Sequence, residues 1–329
     1  MSTSLPYPFS IILPVRNGGQ YIKQCVESIL SQSVKEFNLV ILDSGSTDGT
    51  IAWLQTLTDT RIVLHLSDKP LSITENWNRI KEIPRNEWMT IIGHDDILHP
   101  DYLETMTSLI SQYPGASLYQ THFDLIDAQS NFLRKCKPME EIQQAKGLLD
   151  KILDNAINIY GTGFMMRSKD YDAVGGIPLY PNLLSADYVL WLELTAISYK
   201  VTSTHNCFSY RINQSTTATT KTEVYIQALK LFIEYLFRSK ERLSPTEEMN
   251  NYVKRILSFY CRRVSRRIVN LSPGERNGFT VSKFLNETKE YAKKMNDTDH
   301  SFDPASIPDV WLTKQIGRAS CRESVCFAV

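Results

Sequence analysis

The feature that most constrains the fold is a repeated alternation of two hydrophobic periods in the first third of the chain. An apolar run, Phe9–Val15, is followed by residues 21–32, where Tyr21, Ile22, Cys25, Val26, Ile29 and Leu30 fall at helical spacing. The pair recurs as 37–42 with 50–57, 62–66 with 73–83, and 88–92 with 102–112. Strand-then-helix units in succession predict an α/β fold, with a central, mostly parallel sheet flanked by helices on both faces. Asp48 is placed to cap the second helix and Pro100 to sit in the first turn of the fourth. In such sheets ligands gather where the carboxyl ends of the strands lead into helices. Those ends are Pro14-Val15-Arg16-Asn17, Asp43-Ser44-Gly45-Ser46 and Gly93-His94-Asp95-Asp96.

The pattern continues with a strand-like stretch at 117–126, a helix near 140–153, the segment Tyr160-Gly-Thr-Gly-Phe-Met-Met-Arg167, and a helix near 187–198. Beyond about Lys221 only helical periods remain, at 224–237, 247–269 and 279–294. The expected organisation is a catalytic domain over 1–220 and a helical extension over 221–315. Residues 316–329 have neither periodicity nor caps, resemble translated vector sequence, and are left out of fold reasoning.

Composition narrows the classes of function. A chain of 329 residues that is 42% hydrophobic builds a core, which excludes disordered and collagen-like readings. Thirty-six Lys and Arg cancel thirty-six Asp and Glu, so no global field favours nucleic acid, and no nucleic-acid partner is expected. The six cysteines form no C-x-x-C pair, which argues against structural zinc and dithiol redox chemistry. No apolar stretch approaches the ~18 residues of a membrane helix, and the start has no signal-peptide pattern. A cytoplasmic protein is expected, with peripheral attachment at the inner face of the membrane left open.

Two motifs carry chemistry. Asp43-Ser-Gly-Ser-Thr-Asp-Gly-Thr50 ends a strand and opens a helix: its carboxylate can accept from a base or ribose, and its glycines let backbone approach a ligand. Alone, such a turn is more often a cap. Asp95-Asp96 follows a buried-looking strand, and hard oxygen ligands there suit Mg²⁺ or Mn²⁺ bridging a diphosphate. The plainer alternative is that Asp96 caps the next helix.

The ordered series Ser10-Ile-Ile-Leu-Pro-Val-Arg-Asn17, Val40-Ile-Leu-Asp-Ser-Gly-Ser-Thr-Asp-Gly-Thr50, Asp95-Asp-Ile-Leu-His-Pro-Asp-Tyr-Leu103, Arg167 with Gly175-Gly176, Ala186-Asp187-Tyr-Val-Leu-Trp-Leu192 and Tyr210-Arg211 with Ser215 resembles the family 2 inverting glycosyltransferases of the GT-A fold. The resemblance spans roughly residues 9–217. It implies that Pro14 and Val15 line a nucleobase pocket, that Asp43 bonds the base, and that Asn17 and Gly45 belong to the same nucleotide site. Asp95 would hold the cation at the diphosphate and Asp187 would be the catalytic base. Asp96, Gly163, Arg167, Trp191 and Arg211 would face the diphosphate or the acceptor. Two positions depart from the family: Gly93 stands at the first position of its Asp-x-Asp motif, and Ala186 replaces the first acid at the base. Asn213 stands where many members have histidine.

Smaller signals have plainer readings beside the functional ones. His94 and His99 read as loop side chains, Gly161 and Gly163 lack phosphate-loop spacing and suit a close backbone approach beneath the acceptor, and Trp191 reads as core rather than as an acceptor platform. A basic amphipathic helix near 251–270 could lie on anionic lipid or pack its apolar stripe. The function implied is transfer of a sugar, with inversion, from a nucleotide-sugar donor such as a UDP-sugar to a hydroxyl of a glycan or lipid-linked glycan, in the setting of bacterial surface polysaccharide. The rivals are a catalytically silent nucleotide-sugar binder or assembly subunit, and a sugar nucleotidyltransferase.

Overall fold

The apolar runs become the inner strands of one sheet. β1 (Phe9–Val15), β2 (Phe37–Asp43) and β4 (Trp88–Ile91) are buried at every position, as strands covered on both faces must be. The structure, a computed structural model, describes residues 8–212, 220–272, 275–276, 279–295 and 302–315. The remaining strands are β3 (Ile62–His65), β5 (Ile97–Leu98), β6 (Leu118–Ile126), β7 (Phe132–Lys135), β8 (Ile142–Gln143), β9 (Phe164–Arg167) and β10 (Lys200–Arg211). Their order is β3-β2-β1-β4-β9-β6-β10-β5, with β7 on β6 and β8 on β10.

β1 pairs in parallel with β2 and β4, and β2 with β3. Val15 lies opposite Asp43, so β1 and β2 end together, while β4 ends three residues earlier with Ile91 opposite Ile12. β9 departs from the parallel pattern and runs antiparallel between β4 and β6. Its direction is fixed at its start, where the N–H of Gly163 donates to the carbonyl of Ile91 at 2.9 Å. The chain thus enters β9 at the carboxyl end of β4 and must run back.

The helices are α1 (Tyr21–Leu30), α2 (Thr50–Leu54), α3 (Ile73–Asn78), α4 (Tyr102–Gln112), α5 (Ala145–Leu153), α6 (Ser168–Ala173) and α7 (Ala186–Ile197). α5 starts later than its period suggests because Ile142–Gln143 pair with β10. Pro100 precedes the first turn of α4 rather than entering it: Asp101 is the N-cap, and the carbonyl of Pro100 accepts from the N–H of Ser33. At α2 the cap position is Gly49, with φ 92°, while Asp48 Oδ1 accepts the N–H of Thr50 at 3.1 Å. Cys25, Cys136, Cys207 and Cys261 are buried free thiols.

The chain divides into two compact units, Met1–Thr219 and Thr220–Val329. The second contains the helices Thr222–Arg238, Met249–Asn270 and Val281–Met295. On the basic helix Met249–Asn270, Val253, Ile256, Leu257, Tyr260, Val264 and Ile268 are buried. Four of its cations are engaged inside that unit: Arg255 pairs with Glu247 at 2.7 Å, Arg266 with Asp309 at 3.0 Å, Arg263 donates to the Tyr225 hydroxyl, and Arg267 to the Thr220 carbonyl. Residues 316–329, read from sequence as foreign, lie outside the described residues, as do Asn213 and Ser215. Among the described residues, no helix is long and apolar enough to cross a membrane.

Candidate functional site

The loop after β2 is held by the acid that ends the strand. Asp43 is fully buried, and its Oδ1 accepts the N–H groups of Gly45 and Ser46 at 2.8 and 3.0 Å. Its Oδ2 is buried without a hydrogen-bond partner. A buried carboxylate oxygen left unpaired costs free energy that a ligand N–H pointed at it would recover. The carbonyl of Asp43 accepts from Arg79 Nη1 at 2.8 Å, and Arg79 also reaches Asn76 and the His65 carbonyl, so the strand end is rigid. Gly45 has φ +79°, and a Cβ there would meet the backbone of Lys69 and Pro70 at 2.9–3.0 Å.

This loop is stitched to the one after β1. Asn17, itself at φ 53°, accepts the N–H of Thr47 on Oδ1 at 2.8 Å and donates its own N–H to Ser46. Gly18 donates to Thr50 and Gly19 to Asp48. Asn17 therefore shapes the floor of the site through two loop-to-loop bonds, while Pro14 and Val15 run beside Leu42 and Asp43.

After β4 the turn Gly93–Asp96 closes with an Asp96 N–H to Gly93 carbonyl bond at 3.1 Å. Asp96 is almost fully buried: Oδ2 accepts from Thr162 Oγ1 at 2.9 Å and Oδ1 from the N–H of Arg211 at 3.0 Å. Burial and the charge of Asp95 push its carboxyl well above the ordinary range. Both oxygens being engaged, Asp96 is a brace of the loop and not a group offered to a diphosphate or acceptor, nor does it cap α4. Asp95 is half-buried. A Cβ at Gly93 would lie 2.9 Å from Asp96 Oδ2 and 3.0 Å from Asp95 Oδ1, so position 93 faces both carboxylates.

Arg211 is buried and spent on the protein. Nε donates to the Asp95 carbonyl at 2.7 Å, Nη1 to the Asp127 carbonyl and Ser130 Oγ at 2.9 Å, and Nη2 to Gln24 at 2.8 Å. It ties the turn 127–130 and α1 to the acidic loop, so the arginine expected near the diphosphate or the acceptor lies beside Asp95 with its side-chain nitrogens bonded to protein groups. Arg167 is placed away from that loop. It lies opposite Trp88, the first residue of β4, and so at the far end of the sheet from Asp95. There it sits 4.3 Å over the Trp88 ring and donates to the carbonyls of Ala116 and Pro114. Trp191 is 1% exposed and packs edge-on against Phe164 at 5.3 Å, which makes it core and not an acceptor platform. Gly163, at φ +75°, makes the close approach expected of it, but to a protein group: a Cβ would come within 2.6 Å of the Phe208 ring.

Asp187 is half-buried in the first turn of α7, where the helix dipole favours a carboxylate. The loop before it holds Asn182, Leu183 and Ser185 at φ 52–62°, a left-handed conformation that strains side-chain-bearing residues. Sequence reasoning did not anticipate the aromatic pair that joins the acids. Tyr160 and Tyr210 stack at 3.6 Å with their planes 11° apart. Burial raises the Tyr210 phenol, and the charges of Asp96, Asp95 and Asp187 raise it further. Burial likewise pushes Tyr160 up to about 12, with Asp187 and Asp96 adding to the rise. Both phenols are therefore neutral at physiological pH, and the charges of Asp96 and Asp187 act on each of them. The sequence signal for it is the Tyr210-Arg211 pair itself.

The chemistry of the donor set fits a hard divalent cation at Asp95, because Mg²⁺ and Mn²⁺ are commonly held by one or two carboxylates plus phosphate oxygens. A second cluster, Asp101, His205 and Cys207, has its ligand atoms within 4.8 Å of one another. It suits such a cation poorly: His205 Nε2 meets Asp101 Oδ2 at 2.5 Å and Cys207 Sγ donates to Thr105 Oγ1, so its groups are mutually satisfied, and nitrogen and sulfur are the wrong ligands for a hard ion. His99 straps β10, with Nδ1 at the Asn206 carbonyl and Nε2 at Ser209.

Comparison with known proteins agrees with this architecture. The description "Glycosyl transferase family 2" matches residues 10–175, half of the chain, and the chain belongs to that family. Glycosyltransferase GlyG of Streptococcus pneumoniae serotype 4 is 28% identical over 126 residues, covering 37% of this chain and 42% of its own length. Glycosyltransferase GlyA of the same organism is 22% identical over 302 residues, covering 87% of this chain and 41% of its own. An uncharacterized glycosyltransferase of Rickettsia typhi is 25% identical over 194 residues, covering 57% and 59%. The chain thus spans about half the length, or less, of these relatives. The crystal structure of S. aureus TarS 1-349 in complex with UDP-GlcNAc covers 96% of this chain and 92% of its own, with a TM-score of 0.68 and 13% identity. At that identity the likeness establishes the fold, which is GT-A.

Proposed function

We propose that this chain transfers a sugar from a nucleoside-diphosphate donor, with UDP as the nucleotide, to a hydroxyl of a glycan or lipid-linked glycan, with inversion at the anomeric carbon. The observation that carries the reading is the placement of acids at neighbouring strand ends: Asp43 closes β2 and Asp95 follows β4, the two strands that flank β1. Asp43 has a buried, unpaired oxygen, Asp95 stands on a braced turn, and the charges of Asp95 and Asp187 bear on the same Tyr210 phenol. Family membership and the UDP-GlcNAc complex of TarS support the choice of donor.

In this reading Pro14, Val15, Asn17 and Gly45 form the nucleotide floor, and Asp43 takes a base N–H on Oδ2. Asp95 would hold Mg²⁺ or Mn²⁺, which when bound neutralises charge on the departing diphosphate. Asp187 removes the acceptor proton as the hydroxyl oxygen attacks, and a single displacement needs no enzyme nucleophile. Residues 1–220 are the catalytic domain, 221–315 a helical accessory unit, and the setting is bacterial surface polysaccharide assembly on the cytoplasmic side. The test is Mn²⁺-dependent turnover of a panel of nucleotide sugars, read as release of the nucleotide. Affinity for UDP without turnover of any donor, with glycan acceptors supplied, would leave the silent-binder reading standing instead.

A further inference from the structure

The rim of the first unit carries an amphipathic hairpin that the transfer reaction does not use. β7 pairs antiparallel with β6, and every one of its residues, Phe132-Leu133-Arg134-Lys135, is exposed. Phe132 is 59% and Leu133 50% exposed, two large apolar side chains in succession in water. Ile126, opposite Phe132 across the ladder, is buried, so the exposed apolar surface of the hairpin is the Phe132–Leu133 pair. Contiguous apolar groups on a surface mark a site of contact.

The charges beside them have one sign. Arg134 donates to the Lys135 carbonyl and lies 3.5 Å from Asn158 Oδ1, and neither it nor Lys135 has an ion pair among the described residues. The neighbouring acids are occupied. Asp124, across from Lys135, accepts from Asn206; Asp127 accepts the N–H groups of Gln129 and Asn131 in the turn; Glu140 pairs with Lys151 and Glu141 accepts from Tyr113. Lysine and arginine on an edge strand also block edge-to-edge pairing, but that role does not require an exposed Phe-Leu pair beside them.

We propose that this hairpin is the surface by which the protein docks on an anionic lipid bilayer. Phe132 and Leu133 enter the headgroup boundary, and Arg134 and Lys135 face the lipid phosphates, the division of labour expected of an interfacial anchor. The hairpin is mechanically continuous with the mouth, since Arg211 bonds both its turn, at Asp127 and Ser130, and the Asp95 carbonyl. Docking there would hold the acidic mouth at the membrane surface, where a lipid-linked acceptor is presented. The helix Met249–Asn270, the more conspicuous basic element, has Arg255, Arg263, Arg266 and Arg267 engaged within its own unit and is the poorer candidate.

Lipid binding is measured without donor or acceptor, so its failure and that of the proposed transfer are separate results. The full chain is sedimented with vesicles of phosphatidylcholine alone and with vesicles in which a third of that lipid is replaced by phosphatidylglycerol. Binding is expected only to the second and should weaken with added salt. Phe132→Ser with Leu133→Ser, and separately Arg134→Gln with Lys135→Gln, should each lower the partition coefficient by roughly tenfold or more. Arg262→Gln with Arg266→Gln should leave it unchanged, and melting temperatures report folding for every variant. Absence of binding to both vesicles, equal binding to both, or wild-type binding by folded hairpin variants overturns the proposal. So does a dimer in sedimentation velocity that the Phe132→Ser, Leu133→Ser variant dissolves, which would give the patch to a second copy of the chain.

Discussion

At Asp43 the two carboxylate oxygens have different tasks: Oδ1 closes the turn through Gly45 and Ser46, while Oδ2 is buried and unpaired. This separates two substitutions. Asp43→Ala removes both functions and should weaken UDP binding, measured by calorimetry, by about 1.5–3 kcal/mol. Asp43→Asn keeps an oxygen for the turn but puts an NH₂ donor where the nucleotide would donate, so affinity should fall comparably while the melting temperature stays near wild type. Retained affinity in both variants would take Asp43 out of the site. For Asp187 the contrast lies between binding and rate: Asp187→Asn should retain UDP affinity and lower turnover by ~10²–10⁴, the range for losing a general base. The strand-end acids were legible in the sequence because each ends an apolar run. Arg167 was not, since residue type does not reveal the end of a strand: it is opposite Trp88, the first residue of β4.

Among elements, β1, β2 and β4 could be read from the sequence, because inner parallel strands are uninterrupted apolar runs with helical periods between them. The direction of β9 could not, since the period of a strand is the same whichever way it runs. What sets it is the segment 160–163, which also supplies Thr162 to Asp96 and Tyr160 to the stack on Tyr210. Gly163 is the pivot of that segment. Gly163→Ala meets two obstacles, a backbone at φ +75° and the Phe208 ring at 2.6 Å, and should cost about 2 kcal/mol or more in thermal unfolding. Gly175→Ala serves as the control: at φ +81°, with nothing within 4 Å of its Cβ, it bears only the backbone cost of ~1 kcal/mol. Equal melting temperatures for the two would show that the Phe208 contact relaxes freely.

For the molecule as a whole, equal numbers of acidic and basic residues conceal an uneven distribution, and one cation lies where no sequence rule would put it. Lys200, the first residue of β10, is fully buried at the sheet end away from the mouth, with Thr202 Oγ1, Met139 Sδ at 3.8 Å and the Trp191 ring as neighbours of its ammonium. Burial lowers its pKa to about 7, only partly opposed by Cys136 and Glu140. The unfolded chain would hold this proton up to the ordinary value of 10.5, so between about pH 7 and that value the unfolded state binds more protons than the folded one. Stability from this group therefore rises with pH across that window, and below it the folded state carries the full cost of a buried charge, on the order of 5 kcal/mol. Lys200→Met fills nearly the same volume without the charge. It should raise the melting temperature at pH 6 to 7 and flatten the increase in stability from pH 7 to 10 that the wild type shows in urea unfolding. A variant less stable than wild type at pH 6, with the same pH slope, would mean that the ammonium is solvated in the native state and that its burial carries no such cost.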